Sequence, residues 1–304
     1  MLGYIKSPMN YTGGKYKILE HIIPSFPKKI NTFVDLFAGG LNVGINVNAN
    51  TIYANDQITY LIELYRMFQI TPTDELLKKI KERIETYNLS KTNAEGYNAL
   101  RNEYNKSKSL LDLFILTCYS FNHQIRFNNK HEFNSPFGKE RSSYNDSIER
   151  NLILFCYALH NKKIILSTGD FRDFDISQLK KGDVVYCDPP YLITTGSYND
   201  GNRGFKDWTE TEETDLLSLL DKLNNCGILF ALSNVFVHKG QTNDILIEWS
   251  KKYNTIFIDK TYSNCSYQFK NRNTKTVEVL ITNYKWEEPK CEKNIRYSDD
   301  DLPF

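Results

Sequence analysis

The chain has 304 residues, 40% hydrophobic and 25% charged, which suits one large folded domain or a domain carrying an insertion. Its formal net charge of +1 gives no global basic field, so any contact with nucleic acid must rest on local clusters. No apolar run is long enough to cross a membrane, "MLGYIKSPMNYTGGK" lacks the apolar core of a secretory leader, and the 6 cysteines form no CxxC pair. The expectation is a cytoplasmic protein with reduced cysteines and no metal.

The first notable stretch is "NYTGGK", residues 10–15, where Tyr11, Gly13, Gly14 and Lys15 suit a loop over a carboxylate or phosphate; a plain surface turn is the alternative. "TFVDLF", 32–37, reads as a buried strand running into "AGGLNVGINV", and the glycines followed by a helix-compatible run predict strand, tight turn, helix. That order opens a Rossmann-like βαβ unit, with Asp35, Phe37, Gly39 and Gly40 at the ligand-binding end of the strand. Glycine there admits a ligand to the backbone, and a helix N-terminus would offer it N–H groups. "TIYANDQ", 51–57, is a second strand ending in Asp56, an acid suited to ribose hydroxyls or to capping a helix.

Helical spacing then takes over in "ITYLIELYRMFQ", in "TDELLKKIKERIETYNL" with Thr73 or Asp74 as N-cap, and in "SLLDLFILTCYSF", which is apolar nearly all round. Residues 121–145 are polar and Asn-rich, with Arg126, Lys130, Lys139 and Arg141 outnumbering Glu132 and Glu140. This is a modest basic patch suited to phosphates, or else a solvated loop. Strands return at "KIILSTGDF", "DVVYCDPP", "GILFALSN", "NTIFIDKTY" and "KTVEVLITNY", with helical "ETDLLSLLDKLN" and "TNDILIEWSKKY" between them. Asp170 could accept from an adenine amino group with Phe171 against the ring, or the pair could be an N-cap and a core aromatic. The last two strands, joined by the basic "NCSYQFKNRN" with Lys270 and Arg272, are expected to pair antiparallel. The sum is an α/β fold with a mixed sheet: a catalytic part at 1–59 and 161–290, a mostly helical insertion at 60–160, and an acidic tail at 291–304.

The most specific signal is "DPPY", Asp188, Pro189, Pro190 and Tyr191, at the end of an apolar strand. Neither proline has an N–H, and both fix φ, so the segment is stiff and its carbonyls are unclaimed. This suits alkylation of an exocyclic aromatic amine, whose lone pair is delocalised and must be turned toward the donor. Asp188 and the Pro189 carbonyl can hold the amine while Tyr191 stacks on the ring, which is positioning plus electrostatics. A base inside a duplex must be flipped out to reach such a pocket.

The order "NYTGGK", "DLFAGG", "YAND", a long insertion, "GDF" and "DPPY" resembles the Dam-like (D12 class, α group) DNA adenine-N6 methyltransferases over nearly the whole chain. "FNHQIRFNNKHEFNSPFGK" looks like the family's recognition hairpin. The resemblance implies a Rossmann-like S-adenosylmethionine-dependent methyltransferase fold with an inserted helical and β-hairpin DNA-recognition domain. It implies that Tyr11, Lys15, Asp56, Asp170 and Asp188 contact S-adenosylmethionine, and that Asp188 to Tyr191 form the catalytic motif. It implies base or phosphate contacts from His123, Gln124, Arg126, Asn128, Lys130, Lys139, Arg141, Lys270 and Arg272. Double-stranded DNA is the implied partner of a monomer, with a cognate restriction endonuclease acting separately.

Two departures stand out. The family's glycine turn usually reads Phe-x-Gly-x-Gly, whereas here Leu41 occupies the second glycine's place and Gly40 is the candidate to replace it. Members that read GATC tend to carry Asn-Gly-Leu before the hairpin arginine, whereas His123 and Gln124 stand here, which argues against GATC. The alternatives are an RNA adenine-N6 methyltransferase and a non-catalytic nucleic-acid-binding relative.

Overall fold

The computed structural model describes residues 3–11, 13–194, 208–258 and 276–286. After a short helix α1 (Leu19–Ile22), β1 (Ile30–Asp35) enters the centre of the sheet and pairs parallel with β2 (Ala49–Asp56). The segment between them corrects one expectation. No α-helix follows the glycine turn, only a single 3-10 turn at Gly44–Asn46. "AGGLNVGIN" is rich in glycine, asparagine and β-branched valine, all poor helix formers, and β2 begins at Ala49. The anion site expected from a helix N-terminus is therefore missing here.

Five helices follow: α2 (Thr59–Ile70), α3 (Thr73–Thr86), α4 (Ala94–Ser107), α5 (Leu110–Tyr119) and α6 (Asp146–Asn161). The N-cap of α3 is Pro72, one residue earlier than the expected Thr73 or Asp74. Every residue of α5 from Asp112 to Tyr119 is buried, as its unbroken apolar sequence predicts. Its one charge, Asp112, is met by the Arg83 guanidinium of α3 through two hydrogen bonds of 2.8 and 2.6 Å. A buried carboxylate needs that kind of forked partner.

The chain returns to the sheet at β3 (Ile164–Thr168) and β4 (Val184–Cys187). Helix α7 (Glu210–Asn225) leads to β5 (Leu229–His238), which folds onto a two-residue β6 (Gln241–Thr242). Helix α8 (Asp244–Ser250), β7 (Asn254–Phe257) and β8 (Val277–Thr282) complete the described elements. The strand order is β3-β2-β1-β4-β5-β8-β7, parallel through β5, with β8 antiparallel to both its neighbours. The expected antiparallel pair at the edge is thus present, while its connecting "NCSYQFKNRN" and the acidic tail lie outside the described residues.

Side chains alternate across the sheet with period two. Phe33, Ile52, Tyr186 and Ala231 join a core with α2 to α6, whereas Val34, Val185, Phe230 and Leu232 join a second core with α7 and α8. The helices between β2 and β3 therefore share one core with the sheet. Between β1 and β4 the strand order changes direction. In open α/β sheets, ligands bind at that point, beyond the strands' carboxyl ends.

Candidate active site

At that switch point lies an open cleft of about 100 Å³. It is bordered by Tyr11, Gly13, Gly14, Lys15, Asp35, Phe37, Gly39, Gly40, Asp56 and all of Asp188, Pro189, Pro190 and Tyr191. Most of the residues singled out in the sequence thus converge on one place from separate parts of the chain.

Lys15 reaches from the N-terminal loop to the end of β4, where its Nζ lies 2.7 Å from Asp188 Oδ1 and 3.0 Å from the Gly13 carbonyl. The Tyr191 hydroxyl donates to the same Oδ1 at 3.1 Å, and Lys15 Nζ stands 5.1 Å from the centroid of the Tyr191 ring. Both donors use Oδ1, so Oδ2 keeps its acceptor capacity. Burial pushes the Asp188 carboxyl up, opposed by the Lys15 charge and the two hydrogen bonds. Burial works against the Lys15 ammonium, yet Asp188 more than offsets it and keeps the amine protonated. Losing either partner would strand a buried charge.

Asp35, at the end of β1, accepts the Gly44 N–H at 2.9 Å through Oδ2 and so caps the 3-10 turn. A side chain at position 44 would meet Oδ2 at 2.9 Å, so glycine is required for this approach. Oδ1 is buried and has no hydrogen-bond partner among the described residues. Burial raises this carboxyl to about 7, against the Gly44 bond and with help from Asp188 and Asp56. A buried, unsatisfied acceptor on the wall of a cleft suits a ligand ammonium.

Asp56 does two structural tasks: Oδ2 takes the Gly39 N–H at 2.8 Å and Oδ1 the Ile58 N–H at 2.9 Å. With the Gln57 N–H also directed at it, the carboxylate still has acceptor capacity left for a ribose hydroxyl. Gly39 has φ +47°, and its carbonyl accepts the buried Tyr65 hydroxyl at 2.7 Å. The substitute for the family's second glycine is not Gly40: Leu41 itself adopts φ 54°. That conformation costs a non-glycine residue roughly 1–2 kcal/mol, and the fully buried Leu41 side chain offsets it.

A narrow recess continues the cleft beyond Phe37 and Gln57, bordered by Asp170, Phe171 and Trp208. Asp170 caps the next turn and is gripped by Arg172, whose Nε and guanidinium nitrogen lie 2.9 and 2.8 Å from its two oxygens. Phe171 packs on Phe37 and in the second core. The structural alternatives foreseen for this pair, a cap and a core ring, are thus present, and both residues also face the recess.

Residues 121–141 form an irregular hairpin held by two single bridges, Ser120–Phe137 and Phe127–Phe133, rather than by regular strands. A groove between this loop and the N-terminal segment joins the cleft at Tyr11, Gly13 and Gly14. Its wall includes Lys6, Lys17, His123 and Gln124 and, among the described residues, no carboxylate. The Asn10 amide spans it to the Asn122 carbonyl at 2.9 Å. Arg126 is exposed and bonded to Asn134 at 3.0 Å, Asn128 is spent within its own turn on Lys130 and Glu132, and Lys130, Lys139 and Arg141 are exposed. These five do not border the groove, and Lys270 and Arg272 lie outside the described residues.

Sequence reasoning missed Tyr65, Leu41, Tyr186 and Trp208. Tyr186 pairs with Ser233 by a buried 2.8 Å hydrogen bond under the cleft. Only the polar tip of an otherwise core-like residue could have signalled the tyrosines, and nothing marked Leu41 except the absent glycine. Among the described residues no cluster could hold a metal ion, and no helix is long and apolar enough to cross a membrane.

Strand order, switch-point cleft and proline-stiffened loop together define a Rossmann-like methyltransferase fold. A sequence model of the D12 class N6 adenine-specific DNA methyltransferases matches residues 11–280, and the chain belongs to that family. It is 56% identical over 281 residues to the type II methyltransferase M.FokI of Planomicrobium okeanokoites, covering 92% of this chain and 43% of that protein. It is 49% identical over 284 residues to the modification methylase StsI of Streptococcus sanguinis, covering 93% and 43%. The DNA adenine methylase of Escherichia coli K12 is 28% identical over 232 residues, covering 74% and 79%. The chain thus spans less than half the length of the first two relatives.

Proposed function

We propose that this protein transfers a methyl group from S-adenosylmethionine to N6 of an adenine flipped out of double-stranded DNA. The observation that carries this reading is the Lys15–Asp188–Tyr191 cluster on the Asp-Pro-Pro-Tyr loop, sharing one cleft with the unsatisfied Asp35. S-adenosylmethionine supplies an electrophilic methyl on sulfur. Its donor set fits the residues present: Asp35 Oδ1 for the ammonium, Asp56 for the ribose, and the recess beside Asp170 and Phe171 for the adenine ring.

Asp188 Oδ2 and the Pro189 carbonyl accept the two N–H groups of the target amine and turn its lone pair out of the ring plane. Tyr191 supports the flipped base face-on, while its hydroxyl helps fix the Asp188 carboxylate. Lys15 meets that carboxylate at the same Oδ1, and its charge favours the ionised form for the reaction. The amine needs no prior deprotonation: as its lone pair forms the N–CH3 bond the sulfonium S–CH3 bond would break, leaving the neutral thioether of S-adenosylhomocysteine, and the surplus proton on nitrogen would pass by way of Asp188 to solvent. This is catalysis by a preorganised site.

In this reading residues 60–160 carry recognition, with Gln124 and Arg126 reaching base edges. Lys130, Lys139, Arg141, Lys270 and Arg272 contact phosphates. The chain works as a monomer beside a separate restriction endonuclease, and His123 and Gln124 argue against a GATC target. The test is methylation of duplex DNA of known sequence with labelled S-adenosylmethionine, with modified adenines located by single-molecule sequencing. Marks at one short motif support the reading. Transfer only to RNA would move the substrate, and absence of transfer with cofactor bound would leave a non-catalytic relative.

A further inference from the structure

Glu213 is the one fully buried carboxylate of α7, and the proposed methyl transfer gives it no work. It collects three side-chain donors. Trp208 Nε1 donates to Oε2 at 2.6 Å, while Asn243 Nδ2 and Asn234 Nδ2 donate to Oε1 at 2.8 and 3.3 Å. These partners come from the approach to α7, the N-cap of α8 and the middle of β5. A buried carboxylate with its oxygens used in this way is an orienting device, because a charge so placed must be fully hydrogen-bonded to be tolerated.

What it orients is the Trp208 indole. That ring lies 5.7 Å from Phe37 in an edge-to-face arrangement and 5.7 Å from Phe171, while Phe37 and Phe171 are 5.4 Å apart. The three rings form a triangle, and all three border the recess with Asp170. Phe37 and Gln57 border both the recess and the main cleft, so a ligand long enough could occupy the two at once. The outer side of the same helix turn is clamped too: Arg172 joins Asp170 to Asp215 at 2.9 Å and to Glu212 at 3.7 Å. The first turns of α7 therefore fix two walls of the recess independently, one through Glu213 and one through Arg172.

We infer that Trp208 is a third wall for the purine ring of the cofactor, and that Glu213 is the positioning residue that holds it there through the indole N–H. The inference rests on the proposed cofactor but needs no methyl transfer. A purine offers a flat π-face to such rings and gains from edge or face contact with each. Phenylalanine at 208 would keep most of the apolar wall and lose the N–H that aims it.

The experiment is equilibrium binding of S-adenosylhomocysteine and of adenosine by calorimetry, with tryptophan emission followed in parallel. The native protein is expected to bind both and to change its emission on binding. Trp208→Ala should weaken both ligands alike, roughly tenfold. Trp208→Phe, which keeps a ring but loses the N–H that Glu213 holds, should weaken both ligands several-fold, less than alanine does, and abolish the emission change. Glu213→Gln, which replaces one of the two acceptor oxygens by an amide NH2 that must face at least one of the three donors, should weaken both ligands several-fold and blunt the emission response. A merely structural Glu213 would lower the melting temperature without moving that response. Variants that fold by circular dichroism and bind like the native protein would overturn the inference, as would loss of S-adenosylhomocysteine binding with adenosine binding unchanged. Failure of the native protein to bind either ligand would instead overturn the cofactor reading, and this inference with it.

Discussion

The cleft and the loop at 121–141 are built on opposite plans. In the cleft, polar groups are held by partners far away in the chain: Lys15 by Asp188, the Gly39 N–H by Asp56, and the Gly39 carbonyl by Tyr65. In the loop the bonds are local: Phe121 to Pro136, Arg126 to Asn134, Asn128 to Glu132. Phe127, Phe133 and the Ser135 carbonyl, which accepts the Tyr97 hydroxyl at 2.9 Å, tie it to the helices beneath. A site assembled by the whole fold can fix charges to fractions of an ångström, as transfer chemistry requires. A loop that keeps its own shape can change its exposed side chains without disturbing that site, which suits a reader of variable sequence.

The contrast can be broken most forcefully at Asp188. Asp188→Asn should cut methyl transfer by about a hundred- to a thousandfold, measured with labelled S-adenosylmethionine, while the far-UV circular dichroism spectrum stays native. Transfer at the native rate would remove the proposed mechanism. Asp35 tests the buried side of the cleft. Its folded pKa of about 7 lies above its ordinary 3.8, so its contribution to stability is present below pH 4 and lost as pH rises through 7. Relative to the native protein, Asp35→Asn should gain roughly 1–3 kcal/mol between pH 5 and pH 8, read by denaturant titration. It should also weaken S-adenosylhomocysteine, and the native affinity should fall as pH drops below 7. A flat difference in stability across that range would show that Asp35 is not desolvated.

On the loop, Arg126→Ala should relax discrimination at one base position by about 1–3 kcal/mol and leave cofactor affinity untouched. A changed cofactor affinity would erase the contrast between the two regions. The smallest effect belongs to the turn. Leu41→Gly and Leu41→Ala both lose a buried side chain, but at φ 54° the glycine variant should be the more stable by about 1 kcal/mol. That inverts the usual preference for alanine, and the usual order in thermal melts would contradict the left-handed turn.

Much of this was legible beforehand. Strand ends at Asp56 and Asp188 could be read because, in an α/β chain, a short apolar run closing on an acid marks the carboxyl end of a buried strand, where ligands bind; β1 ends at Asp35, two residues short of the 32–37 run read from the sequence. The antiparallel final pair followed from two apolar runs beside one another. The helix expected after β1 rested on the usual strand-turn-helix order alone: "LNVGINV" places its apolar residues at every second position, its propensities oppose a helix, and the link to β2 is short. Leu41 was illegible for a related reason: its backbone conformation is set by the turn around it and by burial of its side chain. The double duty of Asp56 and the grip of Arg172 on Asp170 depend on three-dimensional neighbours that no spacing encodes.

The bridge from Lys15 to Asp188 has a consequence for how the molecule comes into being. On a ribosome adding roughly 5–20 residues per second, the lysine emerges about ten to thirty seconds before its carboxylate. In that interval β1 can find β2, and the helices between β2 and β3 can pack with them, but the central strand still lacks its other neighbour. The N-terminal loop must wait, solvated, until β4 slides in beside β1. Active protein therefore forms late and in one step, and a chain stalled before β4 would hold a helical core and half a sheet with no chemistry to perform.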